Sequence, residues 1–139
     1  MKRLLMVAIL LATTISPAAF AATSQTTENS QQASNVVVVT NDNFNSIIDN
    51  NEFVVIDFWA DWCVYCHAMN PAIKKLAAEY KGKVVIGKCN TDENRNVARI
   101  CKIQGLPTIL LFKGGKLVDQ QVGYCSKETL KAKIEQLIK

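Results

Sequence analysis

The sequence predicts an α/β domain with a mixed central β-sheet and helices on both faces. Three observations point there. FVVIDFWA, Phe53 to Ala60, is too uniformly apolar for a surface strand; helical periodicity recurs on either side of it; and two short strand-like runs meet at Gly114-Gly115. Read in order, the pattern is βαβαβαββα, which buries one sheet between helical layers.

Each element has its own signal. Val36 to Val39 is a β-branched run and reads as a short strand. Asn41 to Asp49 reads as a helix, with Phe44, Ile47 and Ile48 on one face. Phe53 to Ala60 is apolar at every position but one, as in a strand covered on both sides. After WCVYCH, the residues Met69, Ile73, Leu76, Ala77 and Tyr80 line one face of a helix. Lys83 to Asn90 is a further strand and Asn94 to Lys102 a short helix. Thr108 to Lys113 and Lys116 to Val122 are strands joined by the Gly114-Gly115 hairpin turn. Ser126 then caps a last helix that turns Leu130, Ile134, Leu137 and Ile138 inward.

The first 21 residues read as a cleaved secretory signal. Met1-Lys2-Arg3 is basic, Leu4 to Ala12 apolar, and Ala19-Phe20-Ala21 has the small-x-small form of a cleavage site. A retained anchor is the competing reading, but Thr13, Thr14, Ser16 and Pro17 interrupt the apolar run short of the ~20 residues a spanning helix needs. Residues 22–35 are polar and read as a flexible linker, leaving 36–139 as one domain with a single core. Loss of Lys2 and Arg3 lowers the net charge from +4 to about +2, which is no nucleic-acid signature. The expected location is the periplasm.

Within the domain, Cys63 and Cys66 stand where a buried strand ends and a helix begins. A helix N-terminus carries partial positive charge and unpaired N–H groups, so it stabilises a thiolate on the first cysteine. Cys63 is therefore expected to be the nucleophile, and Cys66, one turn in, the resolving thiol. CVYCH can also be read as a c-type haem attachment site with His67 as axial ligand. His67 is the only histidine, and after signal cleavage the only methionine is Met69, too close to reach the opposite side of the haem. A zinc site would need two of Cys89, Cys101 and Cys125, which form no second closely spaced pair. The dithiol reading is the one the residues favour.

VVIDFWADWCVYC, then Pro71, KCNTDEN, GLPTILLFKGGK and VGYCSKETL, in this order and spacing, resemble the thioredoxin family from about Val36 to Lys139. The resemblance implies a thioredoxin-like fold and thiol-disulfide oxidoreductase activity through a redox-active Cys63-Cys66 disulfide, with no cofactor and no metal. It implies that Asp57 handles the proton of Cys66, with Lys88 as its buried neighbour. It further implies that Pro107 is a cis-proline facing the disulfide, that the backbone of Leu106 pairs with extended substrate, and that Trp62 and Gly123 belong to the recognition surface. Each has a plainer rival: Asp57 as a hydrogen-bonded structural acid, Lys88 reaching solvent, Pro107 as a trans strand opener, Gly123 as a turn glycine.

Val64-Tyr65 departs from the Gly-Pro of cytoplasmic thioredoxins and the Pro-His of the periplasmic oxidant. It adds no charge or donor beside Cys63, so the expected role is reduction of disulfides in substrate proteins, with oxidant or isomerase as the alternative. A reductant in an oxidising compartment implies a membrane thiol-electron transporter as donor. The chain is expected to act as a monomer. Of the remaining cysteines, Cys89 is expected in the core, and Cys101 and Cys125 nearer the active end.

Overall fold

A computed structural model describes residues 35–139. The expected signal peptide, and the linker except for Asn35, lie outside the described residues. The elements are β1 (Val36–Val38), α1 (Phe44–Asn50), β2 (Phe53–Trp59), α2 (Val64–Glu79), β3 (Val85–Asn90), α3 (Arg95–Ile100), β4 (Thr108–Lys113), β5 (Lys116–Val122) and α4 (Lys127–Leu137). Their order is the expected one.

The five strands lie in the order β1-β3-β2-β4-β5. β3 runs parallel to β1 and β2, while β4 is antiparallel to β2 and β5 to β4, so the sheet is mixed. Having β2 in the centre explains why its run is apolar at every position except Asp57, because both of its faces are covered. Val55 packs with Met69, Ile73 and Leu76 of α2 and with Leu130 and Ile134 of α4. Val54, Ile56 and Phe58 pack on the opposite face with Phe44 and Ile48 of α1 and Val97 of α3. Strand alternation therefore places Asp57 on the same face as Val55, beneath α2.

Three boundaries differ from the sequence pattern by two residues or more, each for a local reason. Helix α1 begins at Phe44 rather than Asn41. Asn43 Oδ1 accepts from the Thr40 N–H at 2.7 Å, its amide donates to Val38 O at 2.9 Å, and these bonds build a turn in place of the first helical turn. Strand β3 begins at Val85, since the N–H groups of Lys83 and Val84 both bond to Tyr80 O at the end of α2. Helix α3 ends at Ile100 because Lys102 turns to a φ of 55°, outside helical geometry. At α4 the expected cap is present: Ser126 Oγ accepts from the Thr129 N–H at 3.2 Å.

Candidate active site

The chain leaves β2 at Trp59, turns through Ala60 to Trp62, and enters α2 at Cys63. The Cys63 N–H donates to Ala60 O at 3.1 Å, which closes the turn. Cys63 is the N-cap of α2, and its Sγ accepts from the Cys66 N–H at 3.2 Å. A sulfur thus occupies the position where serine or aspartate oxygen usually caps a helix. The same N–H and the helix terminus stabilise negative charge there, which favours thiolate over thiol. Cys63 and Cys66 are joined as a disulfide with Cα atoms 5.3 Å apart. Cys66 is wholly buried, whereas Cys63 keeps a small exposed edge. An incoming group reaches Cys63 first.

Beneath the first turns of α2 lies Asp57, 0% exposed. Burial pushes its carboxyl above the ordinary carboxylate range; the charge of Lys88 and its hydrogen bond oppose that shift without cancelling it. Lys88 Nζ donates to Asp57 Oδ2 at 2.9 Å, while Asp57 Oδ1 is buried without a hydrogen-bond partner. Adjacent strands supply the pair, since Asp57 of β2 is registered directly against Lys88 of β3. The lysine is not fully buried, as expected of it, but 18% exposed. Its ammonium lies 5.0 Å from the centre of the Trp59 ring, donates to Asn70 Oδ1 of α2, and borders a cleft of 230 Å³.

The other expected site residues are placed as follows. Trp62 is exposed, and its indole Nε1 donates to Asp92 Oδ2 at 3.0 Å. The Leu106-Pro107 peptide bond is cis. Pro107 is buried, and Leu106 is half-buried with its side chain against the α1 face of the core. Gly123 has a φ of +83°, and its N–H donates to Pro107 O at 2.8 Å, so the segment after β5 is fastened to the proline segment. Trp59 is half-buried, its ring centre 5.0 Å from the Lys88 ammonium and 6.2 Å from that of the His67 ring in a T-shaped contact. His67 is exposed, with Nε2 2.7 Å from Asp61 O. Met69 is buried in the core, away from any axial position.

Cys89, Cys101 and Cys125 are free thiols. Cys89 is buried on the α1 face. Cys101, expected nearer the active end, packs on that same face beside Leu110 and Phe112. Cys125 is buried on the α2 face, and that burial raises its thiol pKa. Sequence reasoning missed three neighbours of the site: Asn70 on Lys88, Asp92 on Trp62, and Tyr124, whose ring centre is 6.3 Å from that of Tyr65. Asp92 and Tyr124 lie inside the quoted segments KCNTDEN and VGYCSKETL, but neither motif reveals its partner across the fold.

Comparison with known proteins gives concordant matches. The thioredoxin family model matches residues 35–136. The chain is 45% identical over 100 residues to a thioredoxin of Chlorobaculum thiosulfatiphilum, covering 71% of this chain and 93% of that one. Among solved structures, a mutant thioredoxin from Halobacterium salinarum superposes with a TM-score of 0.70 at 29% identity, covering 76% of this chain and 94% of that one. Plasmodium falciparum thioredoxin gives 0.68 at 35% identity, covering 73% and 98%.

Proposed function

Since the chain belongs to the thioredoxin family, with the α/β fold and the Cys63-Cys66 pair of a thiol-disulfide oxidoreductase, we propose that it reduces disulfides of substrate proteins in the periplasm. The observation that carries the activity is the Cys66 N–H at 3.2 Å from Cys63 Sγ, on the cysteine that retains an exposed edge. In the reduced protein the Cys63 thiolate attacks one sulfur of a substrate disulfide and expels the other as a thiolate. The Cys66 thiolate then attacks Cys63 Sγ in the mixed disulfide and expels the second substrate thiolate. Two electrons pass to the substrate, and the protein is left with the Cys63-Cys66 disulfide.

Asp57 supports the second step. Burial raises its pKa and so makes its carboxylate a stronger base toward the Cys66 proton, and Lys88 moderates the shift. The extended substrate lies along the cis-proline segment against the backbone of Leu106, with Trp62 and Gly123 at its edges. Direction rests on Val64-Tyr65, which brings no charge to Cys63, and location on the signal-like composition of residues 1–21. The oxidised pair is re-reduced by a membrane thiol-electron transporter, and the chain acts as a monomer.

Insulin-disulfide reduction by the purified protein tests the activity, and fractionation of cells expressing the full chain tests the location. Recovery of a shortened chain in the periplasmic fraction, active on insulin, is the expected result. Full-length protein confined to the cytosol would overturn the location.

A further inference from the structure

The surface around Cys63 carries a row of large apolar side chains that the fold leaves uncovered. Trp62 is 69% exposed, Val64 76%, Tyr65 66% and Tyr124 55%. Single exposed apolar residues are ordinary, but four gathered around a reactive cysteine mark an interaction surface. Three of them are held in place, by two different means. The Trp62 indole is tied to Asp92, while Tyr65 leans on Tyr124 with 6.3 Å between ring centres and 49° between ring planes. Tyr124 follows Gly123, whose N–H bonds to Pro107 O. The tyrosine pair therefore bridges the first turn of α2 and the segment fastened to the cis-proline.

Two features identify what covers this surface. Val64 and Tyr65 lie between the two cysteines, so any occupant of the patch also covers Cys63; a second copy seated there would block the chemistry, while a substrate would be delivered to it. Rings already held in place lose little conformational freedom when an apolar side chain packs on them. We propose that Tyr65 and Tyr124 form a fixed aromatic shelf that selects extended polypeptide disulfides with an aromatic or branched aliphatic residue beside the reacting cysteine. This deepens the oxidoreductase reading and rests on it. A disulfide flanked by small polar residues gains nothing from the shelf and is reduced more slowly.

The test uses two otherwise identical peptide disulfides, with Phe or Ser next to the cysteine, each mixed with pre-reduced protein in a single turnover. Cys63 and Cys66 give up two electrons, the peptide disulfide takes them, and no further reductant enters. The protein should react with the Phe peptide about threefold to tenfold faster, the range expected of one aromatic contact. Tyr124→Ser should bring the ratio near one, and Tyr124→Phe should retain it. Because the readout is a ratio within one protein, a loss of folded material cancels. Equal rates for the two peptides, or a preference that survives Tyr124→Ser, would overturn the shelf while leaving the oxidoreductase reading standing. Reduction of neither peptide would overturn that reading, and the shelf with it. Concentration-dependent dimerisation lost in Tyr124→Ser, with no peptide preference, would assign the patch to a second copy instead.

Discussion

Lys88 Nζ stands 2.9 Å from one oxygen of Asp57, yet the other oxygen of the same carboxylate is buried without a partner. The ionised form is therefore only partly compensated, and burial raises the pKa despite the lysine. The folded state holds this proton more tightly than the unfolded state. The contribution of Asp57 to stability therefore falls as pH rises from the ordinary carboxylate range to the raised folded-state value, and is level above it. Asp57→Asn should remove that dependence and stabilise the protein at neutral pH by on the order of 1–3 kcal/mol. It should also slow insulin reduction. Denaturant unfolding at several pH values, read beside turnover, checks both; lower stability with unchanged turnover would make Asp57 a structural acid.

The two active-site thiols should differ sharply. Cys63 has the capping N–H and the exposed edge, whereas Cys66 is wholly buried. Cys63→Ser should abolish insulin reduction, and Cys66→Ser should accumulate a mixed disulfide through Cys63. Alkylation of the reduced protein at neutral pH, mapped by mass spectrometry, should find Cys63 first. Faster labelling of Cys66 would reverse the assigned roles.

The remaining cysteines should stay silent in the folded protein. Burial pushes the Cys89 thiol up to about 12 and the Cys101 thiol up to about 11, and it raises Cys125 as well. At neutral pH almost none of the Cys89 thiol is the reactive thiolate. Maleimide labelling should reach Cys89 only after denaturant is added, and labelling of Cys89 as rapid as that of Cys63 would contradict its place in the core.

Gly123 tests the backbone separately from packing. Its φ of +83° is unfavourable for an L side chain, yet an added Cβ would meet nothing within 4 Å. Gly123→Ala should cost about 1–2 kcal/mol through backbone strain alone. Chemical denaturation measures it; no loss at all would show that the segment relaxes freely.

How much of this was legible in the sequence depends on whether the signal is local. The strand β2 announces itself because being central leaves no polar face, and the helices α2 and α4 because one stripe of each meets the sheet. The starts of α1 and β3 depart from the periodic pattern, since the bonds of Asn43 and those to Tyr80 O outweigh periodicity there. Cys63 and Cys66 stand out in the sequence as a closely spaced pair after an apolar run, and Asp57 as the one charged residue inside that run, whereas the role of Asp57 comes from the family resemblance. The bonds of Asn70 to Lys88 and Trp62 to Asp92, and the packing of Tyr65 on Tyr124, join residues distant in sequence and have no local pattern.

The proposed direction of electron flow is from the Cys63-Cys66 pair to the substrate disulfide. Val64-Tyr65 places no charge beside the Cys63 thiolate, which is stabilised by the helix terminus and the Cys66 N–H. A modestly stabilised thiolate leaves the reduced form less favoured and makes a better reductant. The deciding measurement is the reduction potential of this couple, equilibrated with glutathione after Cys89, Cys101 and Cys125 are replaced. A value below about −200 mV, more reducing than the ~−180 mV of disulfide isomerase, is the expected result, and a value near −120 mV, that of the strong periplasmic oxidant, would contradict it.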